Sequence, residues 1–220
     1  MVVGPTPPLA GPRLSPLSGR ATALVVLLHG YGANGDDLIG LAQAWQSRLP
    51  QAAFVAPNAP ASIPGMPGAL QWFALTLRDP GEYWRGVTAA APALDRGIDQ
   101  ELARLGLGAE RLALVGFSQG TMLALHVGLR RARAPAAVVA FSGLLAGPEH
   151  LRDTTVRPPV MLVHGEADDL IPVEALHVAR EALAAGGVSL EWHVRLGLGH
   201  GIDAGGVRLA AGFLAEGLKT

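Results

Sequence analysis

Arg111-Leu112-Ala113-Leu114-Val115-Gly116-Phe117-Ser118-Gln119-Gly120-Thr121-Met122-Leu123-Ala124-Leu125 decides the fold. Residues Arg111 to Val115 are short and apolar enough for a buried strand, and the run from Gln119 to Arg133 spaces apolar residues three and four apart, as a helix does. Between them, Gly116 to Gly120 fits G-x-S-x-G, in which a serine sits on a sharp strand-to-helix turn. Backbone at such a turn is strained, and Gly116 and Gly120 remove side chains that would collide there. The following helix points its N-terminus at the serine, so the backbone N–H of Gln119 can steady a developing oxyanion. Five residues of this pattern arise by chance in many proteins. The strand before and the helix after give this one its weight.

Working outward, short runs dense in Val, Leu and Ala alternate with longer amphipathic segments, the pattern of a parallel sheet with crossover helices. The expected strands are Thr22 to Leu28, Ala53 to Ala56, Arg111 to Val115, Ala136 to Phe141, Val160 to Val163 and Leu190 to Arg195. Helices are expected over Asp37 to Leu49, Pro92 to Leu105, Gln119 to Arg133, Val173 to Ala185 and Ile202 to Leu218. Residues 1–20, rich in Pro, Gly and Ser, read as an extended N-terminal arm, and 21–220 as one domain. Pro57 to Gly86 reads as a long loop that concentrates Trp72, Phe73, Tyr83 and Trp84. It serves either as a small cap lining an apolar pocket or as a packed loop.

Composition narrows the function. The chain has 220 residues, a size suited to one large domain. Lys plus Arg number 17 against 18 for Asp plus Glu, so no net field attracts nucleic acid or an anionic membrane. The longest apolar runs fall well short of the roughly 20 residues that span a bilayer. Without cysteine there is no thiol nucleophile and no thiolate metal site. Met1 to Pro5 lacks the basic and apolar regions of a secretory signal, and a cytoplasmic location is expected.

A serine hydroxyl needs a base, and seven histidines compete for that role. His200, in Gly197-Leu198-Gly199-His200-Gly201, follows the last strand on a flexible loop and is the choice. His29 and His164 end strands before glycine and are expected to bond neighbouring loops. Surface or packing roles suffice for His126, His150, His177 and His193. The acid that orients the base should follow a late strand, where Glu166, Asp168 and Asp169 all stand. Spacing alone does not separate Asp168 from Asp169. The order Ser, Asp, His is the one found on the α/β-hydrolase fold. Arg130, Arg131 and Arg133 are expected to cap the negative end of the nucleophile helix.

Gly30-Tyr31-Gly32-Ala33-Asn34-Gly35 also fits the dinucleotide fingerprint G-x-G-x-x-G after a strand. That reading needs an acid about 20 residues on, and the region reads Ala56-Pro57-Asn58-Ala59-Pro60. The rival reading makes His29-Gly30-Tyr31-Gly32 the second wall of an oxyanion hole, with the N–H of Tyr31 paired with that of Gln119. A catalytically silent ligand-binding protein on the same fold is a further alternative, but it leaves serine, base and acid unexplained. Neither a cofactor nor a metal is expected.

Taken together, Leu28-His29-Gly30-Tyr31-Gly32, Pro57-Asn58-Ala59-Pro60, Gln71-Trp72-Phe73, Gly116-Phe117-Ser118-Gln119-Gly120 and His164-Gly165 followed by Asp168 and Ile171-Pro172 resemble the bacterial phospholipase/carboxylesterase family, which includes the acyl-protein thioesterases. The resemblance runs from Leu24 to Gly217. It implies an α/β-hydrolase fold with a mostly parallel sheet, helices on both faces and a small loop cap. It implies Ser118, Asp168 and His200 as catalytic residues, since the family's acid stands four residues after the histidine of the His-Gly pair. The implied activity is a serine carboxylesterase for short- to medium-chain acyl esters, with lysophospholipase or thioesterase activity in relatives. Met66, Leu70, Trp72 and Phe73 are the expected substrate-binding residues. Apolar loop residues of this kind also allow contact with another subunit, so a homodimer is compatible with the sequence.

Overall fold

The computed structural model describes residues 9–76, 79 and 81–219; the first eight residues of the N-terminal arm and Pro80 lie outside the described residues. A seven-stranded sheet forms the centre. Its strands are β1 (Arg13–Leu14), β2 (Ala23–Leu28), β3 (Ala52–Val55), β6 (Leu112–Phe117), β7 (Ala137–Phe141), β8 (Val160–Gly165) and β9 (Leu190–Arg195), in the order β1-β3-β2-β6-β7-β8-β9. All neighbours run parallel except β1 against β3. Strands β2, β3, β6, β7 and β8 are buried along nearly their whole length, which is why they read as continuous apolar runs.

Helices cover both faces. On one, α1 (Gly35–Trp45) and α5 (Ala204–Leu218) bring Trp45, Leu214 and Leu218 against Phe54, Val115 and Phe141. On the other, α2 (Glu82–Leu105), α3 (Gln119–Gly128) and α4 (Glu174–Ala185) bring Ile98, Leu123 and Leu183 against Val26, Leu114 and Leu162. This is the expected α/β-hydrolase architecture.

Three local expectations need correction. Helix α2 begins at Glu82, ten residues before Pro92, so Tyr83 and Trp84 belong to a helix and not to a loop. Proline removes one N–H and crowds the preceding turn, yet the apolar stripe continues through it from the fully buried Val87 to Leu94, Ile98 and Leu102. Burial along that stripe outweighs the one lost bond. The stretch before α2 contains an antiparallel hairpin, β4 (Ala61–Ile63) with β5 (Met66–Gln71). Its prolines misled: Pro64 lies in the turn beside Gly65, which takes φ 78, and Pro67 lies on an edge strand that tolerates a missing donor. Finally, α3 ends at Gly128 instead of reaching Arg133.

Candidate active site

Register brings the site to one end of the sheet. Leu28 pairs with Gly116 and Phe117 with Phe141, so the chain leaves β2, β6 and β7 side by side. Ser118 stands between β6 and α3 with φ 54 and ψ −116, a backbone region that costs a non-glycine residue on the order of 1–3 kcal/mol. The surroundings hold it there: Ser118 N–H donates to Phe141 O at 3.0 Å, and Ser118 O accepts from Thr121 N–H at 3.0 Å. A Cβ on Gly116 would lie 2.4 Å from Gly120 O, and one on Gly120 would lie 1.9 Å from Leu28 O. No other residue fits either place.

Asp168 and His200 come together across the ends of β8 and β9. His200 Nδ1 lies 2.8 Å from Asp168 Oδ2, and the Asp168 side chain is wholly buried. Its other oxygen accepts from the N–H groups of Leu170 at 3.0 Å and Ile171 at 2.9 Å. Burial works against the charge, but the Ile171 N–H, His200 and the Leu170 N–H outweigh it and hold the carboxyl below its usual range. Asp169 and Glu166 are exposed. The imidazole of His200 packs against Phe117, next to the serine, with ring centroids 5.0 Å apart.

The two loops that deliver this pair are stitched to each other. Glu166 N–H donates to Arg195 O at 2.9 Å, Ala167 N–H to Leu198 O at 2.9 Å, and Gly197 N–H to Glu166 Oε2 at 3.2 Å. His164 Nε2 lies 2.8 Å from Ile171 O and 3.2 Å from Asp168 Oδ2. Both partners are acceptors, so this nitrogen carries a proton and braces the acid from behind.

The glycine-rich turn after β2 lies over the serine: a Cβ on Gly30 would be 3.2 Å from Ser118 Cβ. Gly32 N–H donates to Leu70 O at 2.9 Å and Leu70 N–H to Ala33 O at 3.1 Å, tying the turn to β5. His29 Nδ1 lies 2.8 Å from Gly30 O, and its Nε2 accepts from Ala59 N–H at 3.0 Å. That pattern defines the neutral ring protonated on Nδ1, and burial lowers its pKa in the same sense. His29 and His164 therefore bond neighbouring loops as expected. The dinucleotide reading also loses its anion site. At the start of α1, Asn34 Oδ1 accepts from Asp36 N–H and Asn58 Oδ1 from Gly35 N–H, with the Asp37 carboxylate at the same end.

Of the expected substrate-binding residues, Trp72 and Phe73 are buried in the core, Leu70 is half-buried and Met66 is exposed near the hairpin tip. Trp72 Nε1 donates to His29 O at 2.9 Å. The Gln119 side chain, whose backbone N–H alone the sequence assigned a role, accepts from Trp72 N–H at 2.9 Å and donates to Phe73 O at 2.8 Å, clamping this segment to the serine turn. Arg131 does not cap α3. Its guanidinium is buried against Asp95 and Asp99 of α2, where two carboxylates outbid partial charges on carbonyls. Ser142 went unnoticed in the sequence: at φ 44, directly after β7, it donates to Gly201 O at 3.0 Å and so holds the residue next to His200. Only the Phe-Ser-Gly ending of an apolar run hinted at it. Among the described residues no group of three or more His, Asp or Glu could hold a metal ion, and no helix is long and apolar enough to cross a membrane.

A strained serine at a strand-to-helix turn, together with a buried Asp168–His200 pair delivered from later strand ends, fits an esterase-type α/β-hydrolase. Residues 11–217 match the phospholipase/carboxylesterase family, and the chain belongs to it. The structure is similar to that of esterase PE8, at 42% identity and a TM-score of 0.91, over 95% of this chain and 99% of that one. In sequence it resembles esterase YpfH of Escherichia coli, 30% identical over 83% of this chain and 78% of the relative. It also resembles acyl-protein thioesterase 1 of Gibberella zeae, 28% identical over 86% and 88%. The protein is a carboxylic ester hydrolase.

Proposed function

We propose that the protein is a serine carboxylesterase for short- to medium-chain acyl esters, working through Ser118, His200 and Asp168. Ser118 Oγ attacks the ester carbonyl as His200 takes its proton; the alcohol leaves with that proton, and an acyl-serine remains. Water, activated by the same histidine, then releases the acid. Asp168 fixes the imidazole tautomer and steadies the imidazolium. The N–H groups of Tyr31 and Gln119 hold the oxyanion, and Leu70 and Met66 flank the acyl chain above a floor of Trp72 and Phe73. The observation that carries this reading is the 2.8 Å contact between His200 Nδ1 and the buried Asp168 carboxylate, which leaves the other ring nitrogen for the serine proton.

The test is hydrolysis of nitrophenyl esters from acetyl to dodecanoyl by the protein and by a folded Ser118→Ala variant. Turnover lost in Ser118→Ala is expected, with an optimum at short to medium chains; equal turnover in both proteins overturns the mechanism. A second reading, thioesterase or lysophospholipase activity through the same residues, is favoured by the likeness to proteins named acyl-protein thioesterase 1. Faster cleavage of a palmitoylated peptide thioester or a lysophospholipid than of butyryl esters would select it.

A further inference from the structure

The two edges of the central sheet are built differently. At one, β1 contributes two residues, Arg13–Leu14, with Pro12 before it and Pro16 close behind. A short, proline-flanked edge offers little backbone to another chain. At the other, β9 runs six residues, Leu190–Arg195, with no Pro, Gly or Lys and no bulge in its register with β8. Val160 N–H donates to Ser189 O and Glu166 N–H to Arg195 O, so odd-numbered residues turn their backbone toward β8. Leu190, Trp192 and Val194 therefore turn theirs outward.

Apolar side chains gather along this edge. Trp192 is 42% exposed, Val178 on α4 is 53% exposed, and Leu196, just past the strand, is 83% exposed. The Trp192 ring is fixed in place by the edge of His177, at 6.0 Å between centroids, and by the Arg180 guanidinium 5.0 Å above it. A large ring held rigid at low entropic cost is what an interface anchor needs.

We propose that β9 pairs antiparallel with β9 of a second copy of this chain, about a two-fold axis at Trp192, joining two sheets into one. The occupant follows from the order of the residues. In this register Leu190 faces Val194, Glu191 faces His193 and Trp192 faces itself, so apolar meets apolar and the carboxylate meets the imidazole. The outward-turned residues are then the ones that exchange backbone hydrogen bonds. Glu191 already lies 2.7 Å from His193 Nε2 within its own strand, so both groups stand on one face with matched reach. An axis one residue later would set His193 against itself and Glu191 against an Arg195 already held by Asp203.

Sedimentation velocity over a hundredfold concentration range is the first experiment, with a dimer expected for the unaltered chain; a monomer throughout overturns the proposal. Trp192→Lys places two ammonium groups face to face and is expected to weaken association by about tenfold or more, with esterase turnover and the circular dichroism spectrum unchanged. A dimer of unaltered strength in that variant overturns the assignment to β9. The chain has no cysteine, so Trp192→Cys reports the register alone. Paired Cα atoms about 5.5 Å apart lie within disulfide reach. Rapid oxidative cross-linking is expected for Trp192→Cys and not for the distant, exposed Leu17→Cys; equal rates, or faster linkage through His193→Cys, overturn the register.

Discussion

Arg195 Nη2 donates to Asp203 Oδ2 at 2.9 Å, closing the loop that carries His200. Arg195 ends β9, and Asp203 caps α5 by accepting from Gly206 N–H at 2.7 Å. The guanidinium first, and the Gly206 N–H second, hold the Asp203 carboxyl below its usual range. Ion pair and cap together set the two ends between which residue 200 hangs. Because both side chains are about a third exposed, the pair itself contributes little to stability.

Asp203→Ala, which removes both cap and pair, is therefore expected to cost about 1 kcal/mol in stability and to lower kcat by about tenfold, with KM little changed. Asp203→Asn keeps a capping oxygen and should recover the stability but only part of the rate. Urea unfolding and ester kinetics on the same preparations check both.

Asp168 and Asp169 stand next to each other and differ in everything that matters to the chemistry. Asp168→Asn removes the acceptor that fixes His200 and should lower kcat by about 10⁴ without unfolding the protein, since Oδ1 can still accept from Leu170 and Ile171. Asp169→Asn alters an exposed side chain and should leave kcat within about twofold. Steady-state kinetics with butyryl esters, alongside melting curves, separates the two.

The parts of this fold legible in the sequence are those where one physical demand dominates. Buried parallel strands must be apolar throughout, so β2, β6, β7 and β8 announce themselves, and the serine turn must carry glycine where backbone touches backbone, as at Gly120 and Leu28. Pro57 to Gly86 and the first turns of α2 were opaque because proline carries two opposite messages across them. Pro64 marks a hairpin turn, whereas Pro92 sits inside α2 at a loss that long-range burial of Val87 and Ile98 offsets, and local sequence does not display burial. The positioning groups were hidden for a related reason. Ser142, the Gln119 amide and the Arg195 to Asp203 pair act on residues 46 to 59 positions away or on a loop geometry, and spacing along the chain says nothing of either.

Gln119 and Tyr31 offer a test of backbone against side chain at the proposed oxyanion site. Tyr31 is largely exposed, so Tyr31→Ala should cost less than about tenfold in kcat, far below the roughly 10²–10³ lost with an oxyanion donor itself. Gln119→Ala keeps its N–H but severs both bonds to the Trp72-Phe73 segment, leaving a buried N–H and C=O unpaired. Its kcat should fall further than that of Tyr31→Ala, and its melting temperature should drop as well. The reverse ranking would mean that the phenol ring, and not the clamp, shapes the site.

His126 supplies a pH dependence of stability that is independent of catalysis. It is buried on α3 beside Trp84, with ring centroids 5.2 Å apart, and burial first, then the Arg130 charge, lowers its pKa from 6.5 to about 4. The folded chain therefore keeps this ring neutral where the unfolded chain takes up a proton. Between pH 6.5 and about 4 the unfolded state binds more protons, so stability falls as the pH drops through that window, by roughly 3 kcal/mol in full. His29, also lowered by burial, adds in the same direction. His126→Leu keeps an apolar group of similar size in contact with Trp84 and should cost less than about 1.5 kcal/mol at pH 7.5. Its urea midpoint should decline less between pH 7.5 and pH 5 than that of the unaltered chain. Parallel declines in the two proteins would show that the ring does not stay neutral in the folded state.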